Sequence, residues 1–337
     1  MNPIISSLLY PLGLTYAGLV NLRNKFYSRQ KVSLGLPTIS IGNISVGGTG
    51  KTPFTLYLAQ KIHSWGQIPF VLTRGYKANP PTYPFAVSPT DSPNTAGDEP
   101  LLLAKQGLQV IIDPNRVRAA QFALQNYTPT SFLLDDGFQQ TKIFKDLDLV
   151  LLAPRDFYNW NRPLPSGYWR EGEKGLTRAD IFLVNLQGNN LSLLQKLATK
   201  KLKKFSKPLL FFDYKITYLE HVQNKEQTKK LKNYLLITTL ANPQKIVKSL
   251  LNFGLNPPDL HLSYPDHYFF KPHDRKKILR IIREKKLNLV CTEKEKDKLV
   301  GILNTQDIWV IKSHIVFSSK EEEDLLLQKV KNILQIK

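Results

Sequence analysis

The chain has 337 residues and 42% hydrophobic composition, enough for one large or two ordinary domains with real cores, and two are expected. Its single cysteine, Cys291, excludes an intramolecular disulfide framework and a cysteine-based zinc site, and it suits a reducing compartment. The formal charge of +20 calls for an anionic partner, which composition alone leaves open among nucleic acid, anionic lipid and phosphorylated substrate.

Residues 4–20 carry no charge and, as a helix, align Ile4, Ile5, Leu8, Leu9, Leu12, Tyr16, Leu19 and Val20 on one face, with Ser6, Ser7 and Gly13 elsewhere. Such a stretch only reaches the lower limit of roughly 17–25 residues for a spanning helix, and Pro11 is expected to kink it. An amphipathic helix lying in the membrane interface is therefore expected, with packing against the protein's own core as the competing reading. The cations Arg23, Lys25, Arg29 and Lys31, beside Phe26 and Tyr27, then sit at headgroup height, where they attract an anionic membrane surface. A secretory signal places its charges before the apolar run, the reverse of this order.

Residues 38–44 alternate as a strand does and run into Ser45-Val46-Gly47-Gly48-Thr49-Gly50-Lys51-Thr52. The glycines let backbone N–H groups converge on an anion, Lys51 can reach the β- and γ-phosphates, and the Thr52 hydroxyl can ligate Mg²⁺ at the start of a helix. Ser45 stands where the P-loop pattern asks for its first glycine. A helix over residues 52–65 and a strand over 69–73 follow, ending in Thr73-Arg74-Gly75-Tyr76. After a Pro- and Ser-rich loop come Gly97-Asp98-Glu99-Pro100, a strand over 107–112, and Asp113-Pro114-Asn115-Arg116 opening another helix.

Ser131-Phe132-Leu133-Leu134-Asp135-Asp136 is an apolar strand delivering acids at its carboxyl end, the Walker-B arrangement that sets a carboxylate beside Mg²⁺. Ligands gather at the carboxyl ends of parallel strands, so Gly47–Thr52, Arg74, Asp98, Glu99, Arg116, Asp135 and Asp136 can share one cleft. Residues 147–152 give another strand. The aromatic, Gly- and Pro-rich residues 155–178 read as a connecting and substrate-facing segment. Strands over 181–185, 209–214, 235–239, 287–292 and 308–311 then alternate with helices over 191–205, 243–253, 274–284, 293–303 and 320–336, implying a second α/β layer structure. The expected division is 1–30 for the N-terminal helix and its basic flank, 31–153 for the nucleotide-binding domain, 154–178 for the connection and 179–337 for the second domain. Lysine runs such as Lys200-Lys201 and Lys229-Lys230 interleave with leucines as solvated helix faces, no zinc-finger or basic-aromatic pattern occurs, and nucleic acid is not an expected partner.

Taken in order, residues 41–53, Thr73-Arg74-Gly75-Tyr76, Gly97-Asp98-Glu99-Pro100, Asn115-Arg116, Leu134-Asp135-Asp136-Gly137-Phe138-Gln139, Pro165-Ser166-Gly167, Arg170-Glu171, Asp266-His267 and Thr292-Glu293-Lys294 resemble the tetraacyldisaccharide 4′-kinase family, over residues 1 to about 312. That family's own phosphate loop also lacks the first glycine. The resemblance implies two α/β/α domains joined by a β-ribbon and transfer of the γ-phosphoryl of ATP to the 4′-hydroxyl of a tetraacylated glucosamine disaccharide 1-phosphate, giving lipid IV-A at the cytoplasmic face of the inner membrane. It implies Asp98 as catalytic aspartate assisted by His267, residues 45–52 on ATP, and Mg²⁺ near Thr52, Glu99, Asp135 and Asp136. Arg74, Arg116, Gln139 and Arg170 fall to substrate and phosphate binding, and no obligate protein partner is inferred. Tyr168-Trp169 stands where the family usually has Pro-Leu.

Two other functions fit part of the pattern. Thr292-Glu293-Lys294-Glu295 has a faint likeness to a guanine-reading motif of a membrane-peripheral GTPase, although no Asp-x-x-Gly switch follows the second strand. A basic lipid- or nucleic-acid-binding adaptor with a relic nucleotide site is the non-enzymatic reading, against which the intact Lys51, Thr52, Asp98 and Asp135 stand.

Overall fold

A computed structural model describes residues 3–239, 243–265, 268–303 and 307–336. The chain divides into two compact units, Met1–Asp213 with Phe317–Lys337, and Tyr214–Val316.

The first unit opens with helices α1 (Pro3–Leu8) and α2 (Tyr10–Tyr27). The apolar run is interrupted at Leu9, which keeps helical φ and ψ, and Pro11 lies in the first turn of α2, where a proline has no intrahelical N–H bond to lose. The sheet follows as β1 (Thr38–Asn43), α3 (Lys51–Ser64), β2 (Pro69–Thr73), β3 (Phe85–Ala86), α4 (Pro93–Ala96), α5 (Asp98–Lys105), β4 (Gln109–Ile112), α6 (Arg116–Asn126), β5 (Ser131–Asp135), β6 (Leu147–Leu152), α7 (Pro154–Tyr158), β7 (Ile181–Asn185), α8 (Leu191–Leu202) and β8 (Leu209–His221). In space the order is β8-β7-β6-β1-β5-β2-β4-β3, every pairing parallel except that of β3 at the edge. β1 lies between β5 and β6, so its carboxyl end sits where crossover connections diverge, the position at which open parallel sheets bind ligands.

Every residue of β1, β2, β5, β6 and β7 is buried, because helices cover both faces of a parallel sheet. The alternation expected for residues 38–44 therefore does not separate an inner from an outer face: Thr38 and Ser40 are as buried as Ile39 and Ile41. One core packs α6 on Phe70, Leu72, Phe132 and Leu134, and the other packs α8 and Trp169 on Val150, Phe182 and Val184.

The second unit comprises the outer part of β8 with β9 (Gln227–Thr228), then β10 (Tyr234–Thr238), α9 (Gln244–Phe253), β11 (Leu260–Ser263), α10 (Pro272–Lys285), β12 (Asn288–Thr292), α11 (Glu293–Leu303) and β13 (Trp309–Phe317). Its parallel order is β11-β10-β12-β13. Cys291 is fully buried in this core, with its thiol pushed up by desolvation, in keeping with a packing role.

The unit boundary differs from the one expected at residues 178/179. β7 pairs parallel with β6, and β8 pairs parallel with β7, so both strands continue the phosphate-loop sheet. The last helix, α12 (Lys320–Leu334), also returns to the first unit: Glu322 accepts from the Phe211 N–H, and Glu323 accepts from the Tyr57 hydroxyl at 2.5 Å and pairs with Lys61 at 3.1 Å. Strands β8 and β13 run past the segments expected from apolar runs alone, since their outer halves are only partly buried and so carry more polar residues. β11 went unexpected because its four residues, Leu260–Ser263, are too short to establish a period.

Gly42 permits the approach that positions the acids after β5. A Cβ there would lie 2.4 Å from the Phe138 backbone nitrogen and 2.5 Å from its Cβ. Gly42→Ala is expected to cost about 1–3 kcal/mol of stability in urea denaturation. Gly18→Ala, at a helical site with nothing within 4 Å, should instead raise stability by about 0.5–1 kcal/mol. Equal effects at the two positions would contradict the packing described.

Candidate active site

The phosphate loop leaves β1, pairs briefly with residues 168–170 through Val46 N–H to Tyr168 O at 2.7 Å and Arg170 N–H to Ile44 O at 2.7 Å, and turns into α3. Gly47 and Gly50 adopt φ of 91° and 94°, a region that disfavours side chains with a Cβ. Side chains brace the turn from outside. Asn43 donates to Thr49 Oγ1 at 3.0 Å, Asn185 at the end of β7 donates to Thr49 O at 2.9 Å, and Gln187 reaches Gly48 O at 3.4 Å. The Arg155 guanidinium donates to Val46 O and fills the space where a Cβ on Gly47 would sit. The loop's N–H groups are thus held in shape by neighbouring strands, which is how a backbone cradle acquires a fixed geometry.

Thr52 Oγ1 lies 3.1 Å from Glu99 Oε2 and 3.3 Å from Asp135 Oδ2, while Thr55 donates to Asp135 Oδ1 at 3.2 Å. Burial and the neighbouring Glu99 charge raise the Asp135 pKa to about 7. Helix α5 packs on α3, and its first turn carries Asp98 and Glu99 after Gly97 with φ of 79°. Asp98 directly precedes Glu99, whose carboxylate faces Thr52, with their Cα atoms about 3.8 Å apart.

Asp136 follows with φ of 55°, a left-handed conformation that aspartate tolerates better than most residues. Lys51 Nζ stands 3.5 Å from its Oδ1, and Arg170 Nη1 lies 2.9 Å from both of its oxygens. Desolvation opposes ionisation of Asp136, but the two cations outweigh it and hold its pKa below the usual carboxylate range. Arg170 also donates to Gln139 Oε1 at 3.0 Å.

Arg116 is buried and donates to Asp113 O at 2.7 Å, in the field of Asp135, Asp136 and Arg74. Desolvation lowers its pKa to about 10 in spite of those acids, so it stays a cation at neutral pH. Arg118 instead makes a two-point pair with Asp113 and is half exposed, so of the two arginines Arg116 faces the acids.

Lys51, Thr52, Glu99, Asp135, Asp136, Gln139 and Arg170 are linked by these contacts, while Asp266 and His267 lie outside the described residues. The segment around Tyr168-Trp169 is more structural than its expected substrate-facing role: Trp169 is fully buried, and the backbone on either side holds the phosphate loop. Sequence reading missed Asn43, Asn185, Gln187 and Arg155 as loop braces, although Asn185 at the carboxyl end of a further buried strand was the available signal. In the second unit, buried Glu295 accepts from the N–H and hydroxyl groups of both Thr239 and Thr292, so the carboxylate of the faint guanine-reading motif is taken up in capping.

A cation fits the Thr52, Glu99 and Asp135 group, since two carboxylates converge there on one hydroxyl and repel each other. Among the described residues no three His, Cys, Asp or Glu side chains close a cage.

A glycine turn bearing a lysine, set opposite buried acids at the rim of a parallel sheet, makes this a P-loop protein of the class that handles nucleotide phosphates. A profile described as tetraacyldisaccharide-1-P 4′-kinase matches residues 5–331, beyond the residue near 312 at which recognisable motifs end, and the chain belongs to that family. It is 34% identical over 321 residues to the tetraacyldisaccharide 4′-kinase of Nitratidesulfovibrio vulgaris, covering 93% of this chain and 89% of the relative. It is 30% identical to that of Legionella pneumophila, over 88% of each. Among solved structures, LpxK from Aquifex aeolicus in complex with ATP is similar at a TM-score of 0.76 and 27% identity, covering 98% of this chain and 99% of the other.

Asp135 binds a proton more tightly folded than unfolded, so its contribution to stability falls as pH rises from about 4 through about 7. Asp135→Asn should therefore melt higher than the parent at pH 8 in the absence of nucleotide and Mg²⁺, with the gap closing towards pH 4. A gap independent of pH in scanning fluorimetry would contradict the raised pKa.

Proposed function

We propose that this chain is a working lipid kinase that transfers the γ-phosphoryl of ATP to the 4′-hydroxyl of a tetraacyl glucosamine disaccharide 1-phosphate, giving lipid IV-A. The observation that carries the reading is the meeting of Thr52 with Glu99 and of Lys51 with Asp136 at one sheet rim, in a chain whose family membership spans nearly its whole length.

Residues 45–52 wrap the phosphates, and Lys51 exchanges the Asp136 carboxylate for phosphate oxygen as ATP enters. Thr52, Glu99, Asp135 and Asp136 are the side chains that would hold Mg²⁺. When bound, that ion would offset negative charge on the phosphates. Arg74 and Arg116 stabilise charge on the transferred group, while Gln139 and Arg170 keep Asp136 in place. Asp98 accepts the proton of the attacking hydroxyl. An aspartate with an ordinary pKa of about 3.9 is a weak base, but phosphoryl transfer needs it only late in the attack. The resemblance adds His267 as its partner.

The N-terminal helices support a membrane-associated location. Small or polar residues, Ser6, Gly13, Ala17 and Asn24, form the face docked on the protein, together with Val20. Ile4, Ile5, Leu8, Leu12, Leu19, Leu22 and Phe26 remain exposed, Leu8 at 74%. The docked face supports the packing reading, and the exposed apolar face supports the membrane-interface reading. Fully burying such a side chain is worth about 1.5–3 kcal/mol, so several together suffice to hold the helix in a bilayer interface. No helix among the described residues is long and apolar enough to cross a membrane. We place the acceptor at the cytoplasmic leaflet of the inner membrane, where Lys25 and Arg29 meet anionic headgroups.

With γ-labelled ATP, Mg²⁺ and the disaccharide 1-phosphate lipid in detergent, label should appear on the lipid, and with no acceptor-dependent transfer the proposal fails. Asp98→Ala should lower kcat by about 10²-fold or more while ATP affinity stays within a few-fold. Leu12→Asp with Leu19→Asp should abolish co-sedimentation with phosphatidylglycerol vesicles and leave ATP binding in solution intact.

A further inference from the structure

Glu171 is fully buried and carries no role in the chemistry above. Its Oε1 accepts from Gln139 Nε2 at 3.1 Å and from Arg178 Nη2 at 2.8 Å, and its Oε2 accepts from Asn24 Nδ2 at 3.2 Å and from Arg178 at 2.9 Å. Gly175 packs against the carboxylate so closely that a Cβ there would lie 2.3 Å from Oε2, which leaves it no room to swing. The Arg178 guanidinium is itself stacked over Phe138, 4.4 Å from the ring centroid. One rigid carboxylate therefore touches the amide of α2 on one side and the amide behind the phosphate site on the other.

The Gln139 amide is fixed from three directions. Its nitrogen donates to Asn43 O at 2.9 Å and to Glu171, which forces its oxygen towards Arg170. Arg170 in turn holds Asp136 in front of Lys51. Asn43 continues to Thr49 within the phosphate loop. A carboxylate accepts only, so it dictates which end of each amide faces it, and a glutamine in its place would not.

We propose that Glu171 is a positioning residue that couples the seating of helix α2 to the alignment of the phosphate site. Asn24 contacts it from the helix side, and Gln139, Arg170 and Asp136 pass its position to Lys51. The proposal rests on the nucleotide reading of the loop. Docking of the N-terminal helix then affects the grip on ATP as well as the location of the enzyme.

The test is titration of a fluorescent ATP analogue with Mg²⁺ into the full chain, independent of lipid turnover. Asn24→Ala removes one hydrogen bond, and it should weaken binding about three- to tenfold at an unchanged melting temperature and unchanged vesicle binding. Glu171→Gln should weaken it by about tenfold or more, and the double variant should bind no worse than Glu171→Gln alone, since both changes cut the same connection. Asn24→Ala binding within twofold of the parent would overturn the coupling, as would losses that multiply in the double variant. If Glu171→Gln does not fold, Asn24→Ala alone decides. Lys51→Ala is the control: if it binds like the parent, the nucleotide reading itself fails, whereas loss there with none in Asn24→Ala refutes the coupling alone.

Discussion

Charge balance at the carboxyl rim of the first sheet is the constraint on which the rest of this structure depends. Glu99, Asp135 and Asp136 converge on a turn that must also accept a polyanion, and such a site is tolerable only if cations are supplied around it. Lys51 and Arg170 supply them to Asp136, and Arg116 contributes from beneath. Among the described residues no cation pairs with Asp135, and burial with the neighbouring Glu99 charge raises its pKa, a deficit that a bound divalent cation would remove.

Much of the packing serves to hold those charges still. Gly42 admits the backbone of Phe138 so that the turn after β5 folds back beside β1, and Asp136 accepts a left-handed φ at the top of that turn. The segment at Tyr168 to Glu171 closes the other side through backbone pairing with Ile44 and Val46. Arg155, Asn185 and Gln187 then lock the glycine turn from strands further along the sheet. In a water-poor site, fixed donors of this kind lower the cost of stabilising developing charge on a transferred phosphoryl group.

The parts of this arrangement that are local in the chain were legible in the sequence. The order strand, glycine turn, Lys51-Thr52, helix is one such part, as are the acids ending β5 and the Asp98-Glu99 pair opening α5, because each depends on a few adjacent residues. What escaped was set by contacts between distant segments. Nothing near Arg155 or Glu171 says that one reaches Val46 and the other Asn24, with |i−j| of 109 and 147. The division into compact units lies elsewhere than the expected boundary for the same reason: an alternation of strands and helices does not say which sheet a strand joins, and β7, the inner part of β8 and α12 belong to the first unit. The N-terminal stretch was read by its large apolar side chains, while its docking face is made mostly of small or polar ones, Ser6, Gly13, Ala17 and Asn24, joined by Val20 from the apolar stripe.

The most direct test is a crystal structure with a non-hydrolysable ATP analogue and Mg²⁺. The account requires the terminal phosphate to lie between Lys51 and the Asp98 carboxylate, with the ion on Thr52 and the lysine drawn away from Asp136. A triphosphate bound elsewhere, or an Asp98 side chain turned away from the terminal phosphate, would contradict it.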